Sequence, residues 1–170
     1  MMTGAEASAA LVRGALKAGV EICVYLPDSV MSGAIREFRR NGTLCVPCSR
    51  EDEGVAVAVG LQLGGRTAVC LMEASGIGLS GLILARAQVQ RTPVVIVASH
   101  TRGGGERFDY HGATLLCSEG IFPGLGIPYD VANDAASLED TMERIFATAR
   151  GQLTSYGLLI PPHLLTERRS

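Results

Sequence analysis

Apolar residues fall along this chain in two alternating rhythms. Short unbroken apolar runs, at Glu21–Tyr25, Leu44–Pro47, Thr67–Met72, Pro93–Ala98 and Gly157–Ile160, predict buried strands. Between them lie stretches with helical spacing. Ala9 to Lys17 places Ala9, Leu11, Val12, Ala15 and Leu16 on one face and ends before Gly19. Val30 to Arg40 does the same with Val30, Met31, Ala34, Ile35 and Phe38, stops at Asn41-Gly42, and carries Arg36, Arg39 and Arg40 toward its C-terminus, where the dipole favours cations. Asp28 or Ser29 is placed to cap it. A helix of small residues starts at Glu51, with Ser49-x-x-Asp52 as a capping-box-like pair. Further helices are predicted from the Glu73–Gly78 turn to about Gln90, from about Thr114 to Ile121, and from Ser137 to Arg150. A short element at Ile127–Val131 precedes that last helix, and the chain closes with its final strand and Pro161-Pro162.

Strands that are continuously apolar and alternate with helices predict a mostly parallel sheet covered on both faces, an α/β doubly wound domain. The 170 residues fit one domain, residues 1–170, with no repeat or linker. Hydrophobic residues make up 47% but aromatics only 5%, with no Trp and 21 Gly, so the core is built from small aliphatic side chains that allow close packing. A net charge of -2 implies no general attraction to nucleic acid or anionic membranes. No apolar run reaches the roughly 18 residues that span a bilayer. Thr3 to Lys17 reads as a first helix and not as a signal peptide. The five cysteines, 23, 45, 48, 70 and 117, sit mostly in strand-like apolar surroundings, the usage of a reduced, cytoplasmic protein. Cys45-Val46-Pro47-Cys48 is formally C-x-x-C near a helix start, open to a redox or metal reading, yet no second pair completes a metal site and Val-Pro reads as a strand end.

Doubly wound sheets bind ligands beyond the carboxyl ends of their strands. The loops there are Pro27-Asp28-Ser29, Cys48 to Glu51, Glu73 to Gly78 and Ser99 to His111, and they hold most polar residues without an obvious structural task. Glu51 opens a helix surfaced with Gly, Ala and Val, which a facing body can approach closely. That would place one carboxylate in a dry interface, although an acid at a helix start is also favoured by the dipole alone. Gly76-Ile77-Gly78-Leu79-Ser80-Gly81 matches G-x-G-x-x-G, but no acidic residue stands about 20 positions on, as a dinucleotide site would want. Glycines that admit close approach of another group are the competing reading. His111 follows Gly103-Gly104-Gly105 and Arg102 and Arg107 share its loop. They suit a closing loop over an anion, or an ordinary solvated one.

Together these motifs resemble the pyrimidine-binding domain of thiamine-diphosphate-dependent decarboxylases, in particular sulfopyruvate decarboxylase alpha subunits and the matching part of phosphonopyruvate decarboxylases. Leu26-Pro27-Asp28-Ser29 is similar to that group's V-P-D-S loop. Arg50-Glu51-x-Glu53-Gly54, with Gly60 beyond, resembles the stretch with the cofactor-activating glutamate. Ser75-Gly76-Ile77-Gly78 resembles the S-G-x-G turn under the aminopyrimidine, and His111-Gly112 the histidine closing the next loop. The resemblance implies that Glu51 hydrogen-bonds the aminopyrimidine of thiamine diphosphate and favours its imino tautomer. It implies that Pro27, Ser75, Gly76 and Gly78 line the cofactor, and that His111 relays a proton. Ser29, Arg102 and Arg107 would contact an anionic 2-oxo acid.

The family's diphosphate and magnesium motif, a G-D-G followed by Asn, is absent from the sequence. The resemblance therefore implies a partner subunit with the diphosphate-binding domain, in a hetero-oligomer such as α2β2 or larger, that binds most of the Mg2+. This chain would supply no metal ligand. Glu73 stands where an amide or small residue is expected, and Ser80 near where relatives often have Asn. The implied reaction is decarboxylation of 3-sulfopyruvate to sulfoacetaldehyde. The alternatives are phosphonopyruvate as substrate, carboligation as in split acetolactate synthase, or a non-catalytic partner domain.

Overall fold

The computed structural model describes residues 2–100 and 112–166. The elements run α1 (Gly4–Lys17), β1 (Ile22–Tyr25), α2 (Ser32–Arg40), β2 (Leu44–Pro47), α3 (Glu51–Leu63), β3 (Ala68–Glu73), α4 (Gly76–Leu79), α5 (Gly81–Val89), β4 (Val95–Ser99), α6 (Gly112–Ser118), α7 (Ile121–Gly124), β5 (Tyr129–Val131), α8 (Leu138–Gln152), β6 (Tyr156–Ile160) and α9 (Pro162–Leu165). The strands form one sheet in the order β2-β1-β3-β4-β6-β5, every pair parallel. The α/β doubly wound expectation is met with a fully parallel sheet.

Strand alternation divides the core between two faces. Cys23 and Tyr25 of β1, Val69 and Leu71 of β3, and Val95 and Val97 of β4 face α1, α2 and α8. Their neighbours Val24, Cys70, Met72, Ile96 and Ala98 face Val55 and Ala58 of α3, Leu84 of α5 and Phe122 of α7. The strands β1 and β4 are buried along their whole length, whereas the edge strands β2 and β5 are only partly covered. From β1 the chain crosses one face through α2 to reach β2, then returns over the other face through α3 to β3. That reversal opens a crevice above the carboxyl ends of β1 and β3.

Several boundaries differ from the sequence expectation, each for a local reason. Helix α1 covers Gly4–Lys17, as the Thr3–Lys17 reading has it, although the apolar spacing begins only at Ala9. The Thr3 hydroxyl accepts from the Glu6 N–H at 3.2 Å and the Glu6 carboxylate accepts from the Thr3 N–H at 2.7 Å, a reciprocal cap that holds the first turn. Helix α2 begins at Ser32, with Asp28 Oδ1 accepting from the Met31 N–H at 2.8 Å. The Ser49–Asp52 box does not form. Arg50 occupies the cap position and holds Asp52 with two hydrogen bonds of 3.0 and 3.1 Å, while Glu53 accepts from the Ser49 N–H at 2.9 Å. The helix expected through Gln90 is two, because buried Ser80 donates its hydroxyl to the Gly76 carbonyl at 2.8 Å and turns the axis there. A last turn, α9, follows Pro161 with Pro162 at its first position.

Gly14 is where α1 meets α8. A Cβ there would lie 2.2 Å from the Glu139 carbonyl oxygen and 2.8 Å from Met142 Cβ. Gly14→Ala therefore pushes two backbones apart and is expected to cost about 1–3 kcal/mol. Urea denaturation of the variant checks this, as a lower midpoint with an unchanged slope.

Candidate active site

The carboxyl ends of β1 to β4 and β6 stand side by side. Tyr25 pairs with Pro47 on one side and Leu71 on the other, and Ser99 with Glu73 and Ile160. Backbone bonds carry the pairing into the loops, from the Cys48 N–H to the Tyr25 carbonyl, from Ala74 to Ser99 and from His100 to Ile160. The residues that follow each strand thus share one rim.

Glu51 occupies the first position of α3, at the positive end of a 13-residue helix. Its two acidic neighbours are engaged, Asp52 by Arg50 and Glu53 by the Ser49 N–H. Among the described residues the half-buried Glu51 carboxylate makes no hydrogen bond or ion pair, which leaves its lone pairs available. Its stem lies directly on Gly76. A Cβ at Gly76 would fall 1.9 Å from Glu51 Cγ and 2.7 Å from Cδ, so only glycine leaves this carboxylate where it is. Gly78 serves another close approach, since a Cβ there would come within 2.9 Å of Cys117 Cβ on α6. Two of the glycines in G-x-G-x-x-G therefore bring helices and a carboxylate together, the competing reading of that motif.

Ser75 is tied to Glu73. Both its N–H (3.1 Å) and its hydroxyl donate to Glu73 Oε2, while Thr114 on α6 donates to Oε1 at 3.1 Å. This explains an acid at position 73, which gathers three donors and fixes the turn beneath Gly76 against α6. Ser75 can still offer its oxygen as an acceptor.

Pro27, Asp28 and Ser29 leave β1 on the other side of the crevice and line a cavity of about 460 Å3. Asp28, a cap candidate in the ligand-side loop by sequence, is also a perturbed carboxyl. Burial, reinforced by the nearby Glu73 charge, pushes its carboxyl above the usual carboxylate range, partly offset by the Met31 and Val30 N–H groups and the Ser99 hydroxyl. His100 stands, by sequence, at the head of the Ser99–His111 loop. It is fully buried, its Nε2 lies 3.0 Å from Glu119 Oε1 just after α6, and its Nδ1 has no hydrogen-bond partner among the described residues. The only signal for it in the sequence was its place at the end of an apolar strand. Arg102, Arg107 and His111 lie outside the described residues. Cys45 and Cys48 are free thiols pushed upward by burial, as a small-hydrophobe role requires and a redox thiolate does not.

An aminopyrimidine needs a carboxylate with open lone pairs beside a wall free of side chains, and Glu51 over Gly76 offers both. Among the described residues no group of three or more His, Cys, Asp or Glu side chains is placed to hold a metal. Among them, too, no helix is long and apolar enough to cross a membrane.

Two expectations follow. Gly76→Ala destabilises the fold through the Glu51 side chain, whose Cβ alone would lie 2.6 Å away, so Glu51→Gly in the same chain recovers much of the loss. A double-mutant cycle by denaturation should return a coupling of about 0.5–3 kcal/mol. Asp28→Asn keeps the cap and removes a carboxyl that binds protons more tightly folded than unfolded. Between the ordinary carboxylate range and the raised value, the native state holds more protons, so wild-type stability falls as pH rises through that window. The variant's pH–stability curve should lack that fall, and parallel curves would contradict it.

Residues 2–114 match the family described as thiamine pyrophosphate enzyme, N-terminal TPP binding domain. Over 97 residues the chain is 31% identical to the sulfopyruvate decarboxylase subunit alpha of Methanococcus maripaludis, 56% of this chain and 58% of that protein. Over 155 residues it is 26% identical to the sulfopyruvate decarboxylase subunit alpha of Methanothermobacter thermautotrophicus, 90% of this chain and 89% of that one. In three dimensions it resembles a chain of the 2-oxoglutarate:ferredoxin oxidoreductase from Magnetococcus marinus, solved with 2-oxoglutarate, coenzyme A and succinyl-CoA bound. The TM-score is 0.77 at 17% identity, over 97% of this chain and 30% of that one, a likeness of fold. The chain thus spans less than two thirds of the first relative and under a third of the solved chain. With the family matched across well over half of its length, the chain belongs to the thiamine pyrophosphate enzymes, through their N-terminal TPP binding domain.

Proposed function

We propose that this chain is the alpha subunit of a split thiamine-diphosphate-dependent decarboxylase acting on an anionic 2-oxo acid, 3-sulfopyruvate first and phosphonopyruvate second. The observation that carries the reading is the unengaged Glu51 carboxylate held over Gly76 at the strand-end crevice. Two relatives named as sulfopyruvate decarboxylase alpha subunits support the substrate class and the existence of a partner.

When bound, thiamine diphosphate supplies the electron sink that lets a 2-oxo acid lose carbon dioxide. The chain's own contribution is positional and protonic. Glu51 would hold the aminopyrimidine edge and share a proton with it, Gly76 keeps the wall beside it low, and Gly78, packed on Cys117, is proposed with Pro27 and Ser75 to line the cofactor through its backbone. Asp28, its carboxyl raised by burial and by Glu73, is a second group able to hold a proton at the crevice mouth. His111 is proposed as a relay, and Ser29, Arg102 and Arg107 as substrate contacts. The Mg2+ is assigned to the partner's diphosphate-binding domain, and the assembly to the cytoplasm, where free cysteines persist.

A partner also suits the outer surface of the layer that carries Glu51. The exposed side of α3 shows Glu53, then Ala56, Gly60 and Leu63, and on α5 Leu82 and Val89 flank Arg86, a largely apolar face with one charge on each helix. A helix apolar on its outward side is normally covered. Burying that face against a second subunit would remove water from around Glu51.

The test uses this chain co-purified with its diphosphate-domain partner. Wild type should form aldehyde from sulfopyruvate or phosphonopyruvate, and Glu51→Gln should lose roughly 10²–10⁴-fold in turnover while still assembling. Wild-type-like rates in Glu51→Gln would refute the role of the carboxylate. Condensation products in place of aldehyde would move the reading to carboligation, and an assembly that never binds the cofactor would make this chain a structural partner.

A further inference from the structure

Helix α2 carries three arginines and one glutamate, and the glutamate is taken. Arg40 reaches Glu37 at 3.5 Å. Arg36 and Arg39 have no carboxylate partner among the described residues, although they stand one turn apart on one face, where like charges repel. The helix dipole accounts for cations in the last turn, which holds Arg39 and Arg40, but Arg36 precedes that turn. Side chains on a helix lean toward its N-terminus, and here that direction leads to the loop after β1.

Both guanidinium groups line the cavity of about 460 Å3 that Tyr25, Pro27, Asp28, Ser29 and Ser32 complete. Positions 29, 32, 36 and 39 recur at helical spacing, so two hydroxyls and two guanidiniums share one wall. Arg39 is held in place: it donates through Nη2 to the Tyr25 hydroxyl and its Cζ lies 5.4 Å from that ring's centre. Cys45 also meets the Arg39 guanidinium as a weak acceptor, and the five-donor fork keeps further N–H groups for an anion. The Ser29 hydroxyl makes no hydrogen bond among the described residues, whereas Ser32 already donates to the Ser29 carbonyl at 2.8 Å. Among the described residues the one carboxyl on the wall, Asp28, is engaged by the Met31 N–H. An adjoining cavity shares Ser29, Ser32 and Arg36, and is also lined by Ser8, whose buried hydroxyl has no partner among the described residues.

We infer that the Arg36–Arg39 cavity is a binding site for a small tetrahedral oxyanion group, a sulfonate, phosphonate, sulfate or phosphate, clamped between the two guanidiniums with the Ser29 hydroxyl as a further donor. Planar guanidinium forks match such oxygens in pairs, which a lone ammonium does not. The site opens beside Pro27 and Ser29, so the anion can be the charged end of the proposed substrate or a free ion. The first source rests on the proposed function; the site itself does not.

The experiment titrates inorganic sulfate into the full chain in chloride-free buffer, followed by NMR of the arginine Nε–H signals. Saturable shifts are expected at Arg36 and Arg39. Arg36→Ala with Arg39→Ala should weaken binding at least about tenfold, as loss of charge-assisted bonds implies. The corresponding double Lys substitution should weaken it less, and Arg91→Ala should leave it unchanged. Absence of saturable shifts, or undiminished affinity in the double Ala variant, would overturn the site. A sulfonate-bearing 2-oxo acid is then compared with sulfate. Tighter binding of the 2-oxo acid, lost in the same variant, assigns the clamp to the substrate's tail. Equal binding keeps the site and assigns it to a free anion. The Glu51→Gln turnover test is independent of both results.

Discussion

The site depends on one contact, the Glu51 stem lying on the bare Cα of Gly76. A carboxylate at a helix start is ordinarily drawn into capping its own backbone or paired with a nearby cation. Here Arg50 is occupied by Asp52 and the Ser49 N–H by Glu53, so neither competes for Glu51. The missing side chain at 76 leaves Glu51 room to lie across the turn after β3. The turn is in its own way immobilised, because Glu73 collects Ser75 and Thr114 and ties it to α6. A carboxylate with no partner among the described residues is thus set among acids whose partners are assigned.

This arrangement exists because the sheet changes direction there. The chain leaves β1 over one face and enters β3 from the other, so the loops after β1 and β3 diverge and leave a crevice between them. Glu51 and Gly76 stand on the α3 side, and Asp28, Ser29 and the Arg36–Arg39 wall on the α2 side. In the proposed reading the Glu51 side meets the cofactor, and the two guanidiniums of the other side meet an anion. Such a division suits a substrate with a reacting keto carbon and a charged tail.

The strands were legible in the sequence because a parallel sheet covered on both faces needs unbroken apolar runs, and each central strand has one. Even the partly covered edge strand Leu44–Pro47 kept its bounds. Helix ends were less legible, since side-chain caps decide them. Thr3 with Glu6 caps α1 ahead of its apolar spacing, and buried Ser80 broke a helix whose apolar pattern runs straight through. Among the site residues, Glu51 and Gly76 could each be singled out, but nothing local shows that one rests on the other, because that contact joins two loops across the sheet. Asp28 was legible as a cap yet not as a perturbed carboxyl, which takes Glu73 from a neighbouring strand. Arg36 and Arg39 read as a dipole-complementing helix end until the fold brought Ser29 and Tyr25 alongside them.

The central claim is that this chain holds only the pyrimidine half of a cofactor site which a second subunit completes. Calorimetric titration of thiamine diphosphate with magnesium into this chain, into the partner, and into their complex tests it most directly. The account predicts tight, saturable binding by the complex alone, weakened when Gly76→Ala displaces Glu51. Tight binding by this chain in isolation, or binding by the complex that is indifferent to Gly76, would contradict it.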